Sequence, residues 1–184
     1  MDKQFVEYVW LGGTCWDIRS KTKILSTPVN EVSQLSTWNY DGSSTGQAET
    51  SASEVLLRPV KIIKDPFRGS HHIIAYCETY LPDGTPTHSN FRSLASQVFQ
   101  EQAVVAEEVW FGVEQEYILA KQSETNELVP LAWVNNKTKQ PQGVFYCGVG
   151  AGKAIARHIP EEHMVKCLEA GLDLAGINAE VFPG

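Results

Sequence analysis

The stretch Phe111-Gly112-Val113-Glu114-Gln115-Glu116-Tyr117 constrains this chain more than any other, because it obliges two carboxylates to share a surface. Read with the two-residue period of a strand, it sends Phe111, Val113, Gln115, Tyr117 and Leu119 to one face and Gly112, Glu114, Glu116 and Ile118 to the other. Side chains two residues apart on a strand lie about 6.5 Å from each other, so bare carboxylates there repel by roughly 2.5 kcal/mol at an effective dielectric near 20. Water over an exposed antiparallel face relieves that repulsion, and so does a hard divalent cation. Oxygen-only ligands of this kind suit Mg²⁺ or Mn²⁺, and two such ions can clamp a transferring phosphoryl group. Glu-x-Glu alone satisfies either reading, so its neighbours have to decide.

With 184 residues, 42% of them apolar, the chain has room for one ordinary domain or two small ones around a real core. A formal charge of −7 with no basic cluster argues against a nucleic-acid partner or an anionic membrane. The first residues lack the apolar run of a signal peptide, and no stretch reaches the length of a membrane span, so the expected setting is cytoplasmic. Cys15, Cys77, Cys147 and Cys167 are too far apart for a Cys-x-x-Cys motif and are expected as reduced, half-buried thiols.

In chain order, Phe5 to Leu11 and Ile18 to Leu25 are strand-forming runs joined through Gly12-Gly13, the signature of a β-hairpin. A polar connection leads to Trp38-Asn39-Tyr40 and then to Asp41-Gly42-Ser43-Ser44-Thr45-Gly46, a loop with the small polar residues of a working turn. Glu54 to Ile63 is a further strand, in which Pro59 demands an edge position or a bulge, and Ile73 to Tyr80 is another, closed by the turn Pro82-Asp83-Gly84-Thr85. The period then changes. Phe91, Leu94, Ala95, Val98 and Phe99 fall at helical spacing behind a Ser89 or Asn90 cap and predict one helix from about Asn90 to Ala106.

Residues 120–144 read as a long excursion with a short hairpin. Gly148, Gly150 and Gly152 could admit a phosphate to backbone N–H groups, although the spacing fits no established glycine loop. Pro160-Glu161-Glu162 opens a second helix with proline in its first position, and Ile177 to Val181 predicts a strand with Asn178 and Glu180 on one face.

Five of these blocks together resemble eukaryotic-type glutamine synthetase, over the first half of that enzyme only. They are Trp38-Asn39-Tyr40-Asp41-Gly42-Ser43-Ser44-Thr45, Asp65-Pro66-Phe67-Arg68, Trp110 to Tyr117, Tyr146-Cys147-Gly148-Val149-Gly150 and Asn178-Ala179-Glu180-Val181. The resemblance implies an α+β fold: a β-grasp domain over residues 1–88, then over 89–184 the first part of a catalytic domain built on an antiparallel sheet with helices on its outer side. It further implies ATP-dependent ligation of ammonia to L-glutamate through γ-glutamyl phosphate, two or more Mg²⁺ or Mn²⁺ ions per site, and a homo-oligomeric ring with active sites between neighbouring subunits.

Residue by residue, the resemblance makes Glu116 and Glu180 ligands of the ion nearer glutamate and Glu114 a ligand of the ion at the ATP phosphates. It sets Trp110 beside the base, and makes Asp41 the loop carboxylate that serves ammonium in an adjacent subunit. On their residue types alone, Asp41 reads as a turn residue and Trp110 as a core residue. The five histidines match no assigned role and are expected at the surface or in caps. The family's remaining ligands, glutamate-binding arginines and most of its nucleotide pocket are not found in residues 1–184, so the piece alone is expected to be inactive. The alternative is a truncated, non-catalytic subunit with a binding or regulatory role.

Overall fold

The computed structural model describes residues 3–133, 141 and 143–184. They divide into two compact units, Met1–Trp110 and Phe111–Gly184, which are taken separately.

The first unit is a five-stranded sheet. β1 (Gln4–Leu11) and β2 (Ile18–Leu25) form the expected hairpin, in register from Gln4 opposite Leu25 to Leu11 opposite Ile18. β3 (Trp38–Asp41) runs antiparallel to β4 (Glu54–Lys64), and β4 antiparallel to β5 (Ile73–Tyr80). β5 returns parallel to β1, giving the order β2-β1-β5-β4-β3. Pro59 cannot donate to a ladder, and the β4–β5 register slips between Pro59 and Lys61, a bulge as its chemistry requires.

Alternation decides what is inside. Val6, Tyr8 and Trp10 of β1 point the same way as Ile73, Ala75 and Cys77 of β5, and with Leu57 and Val29 they make the core. Gln4 joins them at a cost it recovers. Its amide donates to the Val29 and His71 carbonyls at 3.1 and 3.0 Å and accepts the Val29 N–H at 2.9 Å. The sheet curls so far that its two edge strands meet: the Lys21 ammonium of β2 lies 3.6 Å from the centroid of the Trp38 ring in β3 and donates to the Asn39 carbonyl at 2.8 Å.

After the turn at 82–85 the chain forms α1 (Phe91–Phe99), capped by the Asn90 side chain accepting the Ser93 N–H, and α2 (Gln102–Ala106). One helix was expected; Glu101 breaks it with an extended backbone. The stripe of Phe91, Leu94, Val98 and Phe99 stays about half exposed, so little burial enforces continuity on a segment too short to hold itself. The change from strand to helix period falls inside the first unit rather than at its end.

In the second unit the expected short hairpin is present as β6 (Ala120–Gln122) and β7 (Leu128–Pro130); residues 134–140 and 142 of the excursion lie outside the described residues. α3 (His158–Glu169) begins two residues earlier than expected, which makes Pro160 its third residue rather than its first. The strands expected over 111–119 and 177–181 are not formed. Both stretches run without a ladder among the described residues; isolated backbone bonds such as Leu119 N–H to the Pro183 carbonyl at 2.7 Å and Cys147 N–H to the Ala179 carbonyl at 2.9 Å tie them to other segments. Alternation can specify a face, but a strand also needs a paired neighbour.

Candidate functional site

In the second unit the chain passes through the same place twice. Residues 116–118 lie beside 180–182, with the crossing fixed by the Leu119–Pro183 bond and by Gly184, whose backbone comes so near that an added Cβ would stand 2.0 Å from the Tyr117 carbonyl oxygen. Between these passes is a hollow of about 420 Å³ lined by Glu116, Tyr117, Ile118, Glu180, Val181 and Phe182. Two of the three carboxylates named by the sequence thus line one cavity. Glu114 is exposed and is not part of that lining.

Glu180 is held by its own segment, since the Asn178 amide donates to its Oε1 at 2.9 Å. Tyr117 brings a phenol to the wall; its hydroxyl lies 3.3 Å from His163 Nδ1 on α3, and burial, assisted by nearby Cys167, raises its pKa above the ordinary value. His163 is exposed, as expected of a surface residue, but nothing in the helical pattern of 158–169 signals its approach to Tyr117. Carboxylate oxygens are the donors a hard divalent cation takes, and two of them leave room for the water that Mg²⁺ retains. Among the described residues, no group of three His, Cys, Asp or Glu side chains is arranged to hold a metal ion.

Of the three glycines of the loop, Gly148 already spends its N–H within it. Gly148 N–H is engaged by the Phe145 carbonyl, and the Lys153 and Ala154 N–H groups both by the Gly150 carbonyl.

In the first unit Asp41 ends β3 and caps the 3₁₀ turn Gly42–Thr45. Its Oδ1 accepts from the Ser43 N–H at 3.0 Å and the Ser43 hydroxyl at 2.6 Å, and its Oδ2 from the Ser44 hydroxyl at 2.9 Å. The Ser43 hydroxyl first, then that of Ser44, holds this exposed carboxyl below the usual range, so it carries its charge throughout neutral pH. The turn is itself clamped. Gly42 N–H donates to the Ser53 carbonyl and Gly13 N–H to the Thr45 carbonyl, and a Cβ on Gly13 would stand 2.1 Å from that oxygen. Gly13, chosen as a hairpin glycine, is therefore also a close-approach glycine. Trp110 is 95% exposed and belongs to no core.

Comparison with known proteins decides the kinship. Over 183 residues, all of this chain, the sequence is 49% identical to a glutamine synthetase nodule isozyme of Lupinus luteus and 48% identical to a glutamine synthetase cytosolic isozyme of Pinus sylvestris. The chain is a relative of the glutamine synthetases. A chloroplastic glutamine synthetase of Oryza sativa subsp. japonica is 49% identical over the same length. The chain spans 51%, 50% and 42% of these three glutamine synthetases, about half or less of each. A cryo-EM structure of Plasmodium falciparum glutamine synthetase superposes on 98% of the chain and 40% of its own with a TM-score of 0.57; at 12% identity over the superposed residues this likeness bears on the fold, which is α+β. No protein-family model matches the chain.

Proposed function

We propose that this chain forms the first part of an enzyme that joins ammonia to L-glutamate with ATP to give L-glutamine. The observation that carries the reading is the near-half identity to glutamine synthetases along the whole chain, with Glu116 and Glu180 on one hollow as its physical support. The γ-phosphoryl group passes from ATP to a side-chain oxygen of glutamate, ammonia attacks the acyl carbon, and phosphate leaves with that oxygen. Glu116 and Glu180 would hold a Mg²⁺ or Mn²⁺ ion beside glutamate, and Glu114 another at the phosphates. Bound there, the ions offset the charge that accumulates on the transferring group.

Asp41 is suited first to attracting ammonium. Its lowered pKa keeps it anionic and makes it a weak proton acceptor, so cation binding is its larger contribution and the proton is taken as the C–N bond forms. Trp110 offers an open ring face to a nucleotide base. In this reading residues 1–88 are a β-grasp domain, supported by the parallel β1–β5 pair at the centre of the sheet, and residues 89–184 begin the catalytic domain. The assembly is a homo-oligomeric ring in which Asp41 serves an adjacent subunit, in a cytoplasmic setting.

The test supplies the intact protein with glutamate, ammonium, ATP and Mg²⁺ and follows glutamine. Formation of glutamine supports the reading, and residues 1–184 produced alone should form none. An intact protein that forms no glutamine under these conditions yet associates stably with a longer homologous subunit would favour the non-catalytic alternative.

A further inference from the structure

Behind the Asp41 turn lies a side chain that neither the sequence motifs nor the proposed chemistry uses. Gln47 is only 6% exposed. Its Oε1 accepts the Tyr40 hydroxyl at 2.7 Å and the Thr45 hydroxyl at 2.8 Å, while its Nε2 donates to the Leu11 carbonyl at 3.1 Å and the Ser89 hydroxyl at 2.8 Å. A glutamine side chain has two acceptor positions and two donors, and all four are used. Its backbone closes the turn as well, with Gln47 N–H donating to the Gly42 carbonyl at 2.8 Å.

Each of the four partners belongs to a different part of the chain: the strand that delivers Asp41, the turn that Asp41 caps, the end of β1, and the segment entering α1. Asp41 is thereby tied from behind to the buried centre of the sheet, where Trp10 packs on Tyr40 with ring centroids 4.6 Å apart. Polar groups buried in such a network are costly if any member is lost, which fixes a single arrangement of the backbone they hold.

We propose that Gln47 is the positioning residue of the Asp41 turn: it holds the 41–47 backbone in the one conformation that keeps the Ser43 and Ser44 hydroxyls on the carboxylate. The inference rests on the reading of Asp41 as the ammonium-binding group. Gln47 touches no substrate and acts through the turn.

The experiment compares the intact protein with Gln47→Ala. It follows the Asp41 carboxyl carbon by NMR as pH is lowered, and measures kcat together with KM for ammonium and for ATP. In Gln47→Ala the Asp41 titration should move up towards the ordinary value near 3.8, and KM for ammonium should rise by roughly tenfold to a hundredfold, the penalty of a misplaced group, with KM for ATP unchanged. An unchanged Asp41 titration in folded Gln47→Ala overturns the proposal. A moved titration with unchanged KM for ammonium upholds Gln47 as positioning residue and removes instead the assignment of ammonium to Asp41. Should Gln47→Ala fail to fold, Tyr40→Phe, which deletes a single donor to Gln47, decides the matter: an upward shift of the same titration supports the proposal and its absence overturns it.

Discussion

At the residue scale the hollow of the second unit makes a direct demand on Glu116. Its carboxylate lines the cavity together with Glu180, and alanine there removes half of the paired oxygen donors. Glu116→Ala in the intact protein is expected to abolish glutamine formation at millimolar Mg²⁺ while leaving the circular dichroism spectrum unchanged; turnover at the parental rate would remove Glu116 from the site. Asp41 gives the second expectation. Its folded pKa lies below the unfolded value, so the stabilisation it gives the turn is complete above the unfolded value and is lost as pH falls through the lowered one. The Ser43 amide proton, bonded to Oδ1, should keep its chemical shift from neutral pH down through the ordinary carboxylate range and move only below it.

How far these residues could be read in advance differs between them. Glu116 and Glu180 were legible as carboxylates bound for one cavity, yet the strands meant to carry them are not formed, because alternation is a local signal and pairing is not. Gln47 was illegible. It sits among small polar residues after a glycine, and its four partners come from positions as far away as Leu11 and Ser89. The Asp41 cap, by contrast, is written locally in Asp-Gly-Ser-Ser.

At the scale of elements, the first unit follows its sequence closely where a period of two meets a turn signal. Both strands of the hairpin, the Pro59 bulge and the closing turn at 82–85 are where residue chemistry puts them. The helix after Asn90 does not, since its apolar stripe stays about half exposed. Central and peripheral positions should therefore respond differently to truncation. Leu57, wholly buried in β4, should lose about 2–5 kcal/mol as Leu57→Ala in chemical denaturation. Ile24→Ala, on the exposed face of β2, should stay within about 0.5 kcal/mol of the parent. Equal losses at both positions would contradict the core as described.

At the scale of the whole molecule, the four cysteines are all free and grade from buried to open. Cys77 is buried, Cys15 and Cys167 are intermediate, and Cys147 is exposed, so the expectation of uniformly half-buried thiols holds for only two. Burial pushes the Cys77 thiol up to about 12. A thiol reagent at neutral pH should consume Cys147 first and reach Cys77 only in denaturant, as peptide mapping would show. Among the described residues no helix is long and apolar enough to cross a membrane.

The meeting of β2 with β3 has a consequence for how such a chain survives in a crowded solution. A sheet edge normally offers bare carbonyls and N–H groups to any passing strand. Here the Asn39 carbonyl is occupied by Lys21, the Ser36 carbonyl by the Tyr8 hydroxyl and the Ser36 hydroxyl by Lys23, so two ammonium groups stand guard where a foreign strand would dock. Neutralising those two lysines would leave the core intact but free the Asn39 carbonyl and the Ser36 hydroxyl for an incoming strand.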